Sequence, residues 1–126
     1  MHFTLLLLLT LALLSTTIGQ PGLPKKLNKE HICAACKATI TELKKKVGSK
    51  VTESRVLEAM DGICSWDNFR VYDFPPPTMK QACETFLGDH DDVVEKEMAG
   101  SGGKGGKTAE ELQQAVCFDR TRVCVG

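Results

Sequence analysis

Six cysteines constrain this chain more than any other feature: Cys33, Cys36, Cys64, Cys83, Cys117 and Cys124, an even set with none before Cys33. On a short chain such a set reads as a disulfide framework. Disulfides persist in oxidising compartments and support domains whose cores are too small to hold them alone. The close pair Cys33-Ala34-Ala35-Cys36 admits two other readings, a thioredoxin-like redox motif or half of a zinc site. The first requires a βαβ setting, and no alternating apolar run in the chain points to a strand. The second requires another close pair, and Cys117 and Cys124 are too widely spaced to supply it.

The N-terminal stretch agrees with an oxidising destination. A leucine-rich run from Leu5 to Leu14 is followed by small and hydroxylated residues, the layout of a signal peptide over residues 1–19 with cleavage near Gly19. It is shorter than the roughly 20 apolar residues a membrane span needs, and Pro21 and Pro24 follow closely. Residues 20–27 have no hydrophobic period and are expected to form a flexible arm ahead of one domain over 28–126. All 16 basic and 16 acidic side chains lie from Lys25 onward, so the net charge is zero with or without the leader. That balance argues against nucleic acid as a partner, which takes a basic excess on one face, and against lysis of anionic membranes.

Within the domain, apolar positions recur at helical spacing. Asn28 is placed to cap a first helix, with Cys33, Cys36, Ile40, Leu43 and Val47 on one face, Lys44 to Lys46 at its negative end and Gly48 as its stop. A second helix is expected from about Thr52 to Cys64, with Val56, Leu57, Met60, Ile63 and Cys64 turned inward. The segment Ser65 to Pro77 concentrates the only Trp, the only Tyr and two of the five Phe ahead of three prolines, and reads as an extended connection. Thr78 with Gln81 forms a capping-box pattern that predicts a third helix from Met79, carrying Met79, Cys83, Phe86, Leu87, Val94 and Met98 on one side. After a glycine-rich loop at 100–106, Thr108 with Glu111 predicts a fourth helix toward Cys117. The expected fold is all-α, a bundle of four to five helices.

Candidate chemistry is sparse. Ser101 to Thr108, SGGKGGKT, misses the phosphate-binding P-loop pattern at its first position, and that motif works only between a strand and a helix. A hydrolase would need a histidine base, and after the leader only His31 and His90 remain, neither beside a suitable nucleophile. Asp89, Asp91 and Asp92 lack the glycine-centred loop of an EF-hand calcium site. The sequence therefore assigns no catalytic residue, no metal ligand, no cofactor and no nucleotide, and the chain is read as not an enzyme. Trp66, Phe69, Tyr72 and Phe74 remain as a possible partner surface, although aromatics so placed also commonly close a helical core.

The order of the cysteines along the helices suggests nesting. Cys33 and Cys36 share a face of helix one, where an antiparallel C-terminal helix could present Cys124 and Cys117. Cys33 would then pair with Cys124, Cys36 with Cys117 and Cys64 with Cys83.

This six-cysteine helical order resembles the saposin-like fold, and local motifs resemble the canopy family of endoplasmic-reticulum proteins. The motifs are Cys33-x-x-Cys36-Lys37 with Glu42-Leu43; Leu57-Glu58 ahead of Ile63-Cys64; Ala82-Cys83-Glu84 with Asp92; and Cys117-x-x-Arg120-Thr121-x-Val123-Cys124. Together they span about His31 to Cys124. The resemblance implies a non-catalytic adaptor or co-chaperone that binds protein clients or chaperones in the secretory pathway and assists folding or trafficking of receptors or secreted proteins. Saposin-type lipid binding or transfer is the alternative. The narrow apolar stripe of helix one, set among Ala, Thr and Lys, favours protein over lipid. The sequence ends at Val125-Gly126 without a Lys-Asp-Glu-Leu-like signal, so the expectation is the endoplasmic-reticulum lumen or secretion.

Overall fold

A computed structural model describes residues 26–102 and 106–126, and within them every regular element is helical. The expected leader and most of the expected arm lie outside the described residues. The elements are α1 (Lys29–Val47), α2 (Glu53–Met60), a 3-10 turn (Trp66–Phe69), α3 (Pro76–Ala99), α4 (Ala109–Gln113) and a π-helical segment (Gln114–Arg120).

α1 begins and ends where its sequence signals stand. The Asn28 side chain accepts the His31 N–H at 2.9 Å, and His31 Nδ1 accepts the Asn28 N–H at 3.2 Å. This is a reciprocal capping box in which histidine takes the place of the usual Glu or Gln. At the other end Gly48 adopts φ 69°, a left-handed conformation that glycine enters without steric cost, and donates to the Lys44 carbonyl at 3.0 Å.

α2 is shorter than its pattern predicts. Thr52 caps it, accepting from the Arg55 N–H, but the helix stops at Met60. Gly62 lies at φ 72° and carries the chain into turns, from which Ile63 still reaches the core. Val56 faces inward as expected, whereas Leu57 does not and is 49% exposed.

α3 starts earlier than predicted. Thr78 is not its cap: Pro75 holds that position and Pro76 and Pro77 occupy the first helical turn. Proline lacks an N–H, but the first amides of a helix have no intrahelical acceptor, so nothing is lost there and φ is already set for the helix. The helix then runs to Ala99 with one break at His90, whose φ of −133° and ψ of 18° lie outside the helical range. α4 opens at its predicted cap, Thr108, which accepts the Glu111 N–H at 3.1 Å, and widens into the π-helical segment that carries Cys117.

α1 packs most extensively on α3, with α4 against α1 and the 3-10 turn against α3. The shared core is fully buried and includes Ile40, Leu43, Phe69, Met79, Phe86, Met98 and Leu112. Burying a side chain of this size contributes roughly 1.5–3 kcal/mol. Thr39, a buried polar residue, donates its hydroxyl to Cys83 Sγ at 3.3 Å, and among the described residues no buried side-chain N or O lacks a partner.

Three nested disulfides close the bundle. Cys33–Cys124 and Cys36–Cys117 tie α1 to the C-terminal segment across 91 and 81 residues, and Cys64–Cys83 ties the turn after α2 to α3 across 19. The two C-terminal bonds are not equally covered. Cys36 and Cys117 are fully buried, whereas Cys33 and Cys124 are half-buried.

Candidate functional site

Cys33 borders an open cleft of about 570 Å³. One wall is the face of α1 that carries Lys29, Cys33, Ala34, Lys37, Ala38 and Thr41, positions repeating at three- and four-residue steps. Ala34 and Ala38 are too small to fill the space beside the helix. The opposite side comes from Tyr72, Asp73 and Met79, and the far wall from Val123 to Gly126, held against α1 by the Cys33–Cys124 bond.

Polar contacts fix the border. Tyr72 donates its hydroxyl to Glu42 Oε2 at 2.6 Å. Partial burial of the phenol, and after it the hydrogen bond and charge of Glu42, raises the Tyr72 pKa well above its ordinary value. Gln113 donates from Nε2 to Thr41 Oγ1 at 2.8 Å, pinning α4 to α1 at one end of the cleft. Lys37 places its ammonium 5.3 Å from the centre of the Phe118 ring, a cation–π distance. Lys29 and Glu30 lie near the entrance of α1 and Asp73 across from them, so the rim carries both signs of charge. Apolar floor, small residues and mixed polar rim suit reversible binding of a partly apolar ligand.

The residues singled out from sequence do not form one surface. Phe69 is fully buried and serves the core, which removes it from any partner surface. Tyr72 and Phe74 are half-buried against that core, with Phe74 meeting the His31 ring edge-on at 4.6 Å. Trp66 is 50% exposed, stacked beneath Arg70 at 4.9 Å, and adjacent Val71 is 84% exposed. Of the four, only Tyr72 lines the cleft.

The remaining motifs are engaged structurally. Cys33 and Cys36 bond to different partners, and no cysteine is free. Lys107 pairs with Glu97 at 3.2 Å and Thr108 caps α4, while the segment before the glycine-rich loop is the end of α3. His90 packs its ring 5.4 Å from that of Phe86. Among the described residues no three His, Cys, Asp or Glu side chains converge as a metal site. None of the described helices is long and apolar enough to cross a membrane.

The cleft itself escaped the sequence reading, because alanines and the side chains of a C-terminal tail carry no chemical signature. Its one available signal was the Ala34/Ala38 step on the face that also carries Lys29 and Lys37, where small side chains leave the helix shallow.

Comparison with known families gives one match: residues 32–66 fit the model of saposin-like type B, region 1. That segment covers α1 from Ile32 onward, α2 and the turns through Cys64 to Trp66. The searches of curated proteins and of solved structures returned no match. With four helices, no strand among the described residues and three nested disulfides, the fold is a saposin-like bundle. A saposin-like domain fits a lipid-binding or protein-interacting role, and three disulfides fit a secretory-pathway protein.

Proposed function

We propose that this domain is a non-catalytic protein-binding module that takes an apolar segment of a protein client into the cleft beside α1. The supporting observation is the shape of that cleft: open along one side, with half-buried Ala34 in its wall above the buried Ala38 and Met79, and rimmed by lysine, carboxylate and amide groups. In the secretory pathway such a module would act as an adaptor or co-chaperone, the role that the canopy-like motifs imply.

The test is cleft blockade. Ala34 is half-buried in the wall, and Ala34→Lys would fill the space while leaving its side-chain end in solvent. Site-specific photo-cross-linking from Thr41 in secretory cells should yield client adducts with the wild type and lose at least about tenfold with A34K, the effect of about 1.4 kcal/mol. Equal cross-linking by both would overturn the reading.

Lipid binding is the second reading, favoured by the saposin-like match and by the exposure of two large apolar side chains, Trp66 and Val71. Stoichiometric lipid extraction from liposomes by purified protein, unaffected by A34K, would replace the first reading with this one.

A further inference from the structure

We infer that the Cys33–Cys124 disulfide is a redox latch on the cleft, opened by a dithiol reductant while the other two bonds stay closed. Three independent features of the structure converge on this bond. Both of its cysteines are half-buried and both line the open cleft; Cys36 and Cys117 are fully covered by the core, and in the third bond Cys64 is half-buried away from the cleft while its partner Cys83 is fully covered. Thiol–disulfide exchange depends on direct access to sulfur, so covered bonds exchange slowly and accessible ones fast.

The second feature is charge. Lys29 and Lys37 lie one helical turn before and after Cys33 on the same face, and both border the same cleft. Positive charge bordering the cleft, with the Lys37 ammonium resting over Phe118 in the closed form, would favour the thiolate that leaves when the bond is attacked, and a better-stabilised leaving thiolate departs faster. Glu30 is the one carboxylate of α1 facing this cleft and Asp73 the one across from it.

The third feature is what the bond restrains. Val123 to Gly126 form a wall of the cleft, and besides the disulfide they are held by the packing of Val123 against the core, by the Cys124 N–H to the Cys117 carbonyl at 3.0 Å and by the Val125 N–H to the Arg122 carbonyl. Arg122, two residues before Cys124, sits at φ 59°, a left-handed conformation that costs an L side chain energy. With the latch open, the Cys36–Cys117 bond and the core still hold the bundle.

The step balances as ordinary exchange. One thiolate of the dithiol attacks Cys124 Sγ, the Cys33–Cys124 bond breaks and Cys33 leaves as a thiolate that takes a proton from water. The second thiol of the reductant then displaces Cys124. The dithiol ends as a disulfide, and two electrons and two protons have passed to the protein.

The opening is independent of what the cleft binds; only its consequence for client binding rests on the proposed function. The full folded protein is treated with graded dithiothreitol, quenched with an alkylating agent and mapped by peptide mass. We expect Cys33 and Cys124 to be alkylated at least about tenfold faster than Cys36, Cys117, Cys64 and Cys83. We expect the Lys29→Gln, Lys37→Gln variant to slow that first step by about threefold or more. In the Cys33→Ser, Cys124→Ser variant, which retains two bonds, trypsin should cut after Arg122 faster than in the oxidised wild type. Concerted alkylation of all six cysteines, or first release of Cys64 and Cys83, would overturn the latch. Unchanged cleavage at Arg122 would overturn its control of the wall.

Discussion

On one side of α1, Cys36, Ile40, Leu43 and Val47 are sealed against α3 and the C-terminal segment, fully or almost fully buried. On the other, Lys29, Cys33, Ala34 and Lys37 border a cleft that solvent enters. The same nineteen-residue helix carries both faces, and side-chain volume separates them. Branched and long apolar side chains interdigitate with their neighbours at the density of a protein interior, whereas two alanines leave room that the C-terminal tail encloses without filling. Stability and binding capacity thus occupy opposite sides of one element, and substitutions should sort accordingly.

The largest effect belongs to the sealed side. Phe86→Ala should cost about 3–5 kcal/mol in urea unfolding, because the cavity it leaves is walled by core that relaxes only partly. A loss below about 1 kcal/mol would place Phe86 in a collapsible site and break the contrast.

Tyr72→Phe, at the border of the cleft, should cost about 1–2 kcal/mol, since it removes a hydrogen bond to a carboxylate that keeps Lys45 as a partner at 3.1 Å. The raised pKa gives this contact a pH signature. The folded state holds the Tyr72 proton above the ordinary value of 10.0 that the unfolded chain shows. Its contribution is therefore fully present below pH 10 and is lost as pH rises from there toward the folded-state value. The difference in stability between wild type and Y72F should fall as pH rises above about 10.

Trp66→Ala should be the mildest change, within about 0.5 kcal/mol, because half of the ring is already in solvent and its Arg70 stack is a surface contact. A larger loss would move Trp66 from surface to structure.

The fold was legible where a residue's local chemistry decides the backbone. Asn28, Thr52 and Thr108 satisfy orphan amides and mark three helix starts, and Gly48 marks one end. It was misread where two rules compete. Pro75 to Pro77 look like a helix breaker, yet proline is suited to a first turn, so α3 begins before the Thr78 that resembles a cap. The apolar spacing of Val56 to Cys64 continues past Met60, but the left-handed turn at Gly62 is a tertiary choice that spacing does not encode. The cleft was the least legible part, since it arises from small side chains on α1 meeting a tail far away in sequence.

Glu97 has a further use that follows from its position. Its carboxylate receives Lys107 at 3.2 Å and Arg120 at 2.9 Å, while Ser101 bonds back to the Met98 carbonyl at 2.6 Å. The chain leaving α3 and the chain entering α4 are therefore anchored to the same end of the bundle. Gly102 itself is constrained, because a Cβ there would lie 2.9 Å from Val51 Cβ. Lengthening a surface connection costs little in general, since doubling a loop costs only about 0.6 kcal/mol. An epitope or fluorescent reporter spliced between these anchors should leave both faces of α1 undisturbed, giving the molecule a handle for following it through the cell.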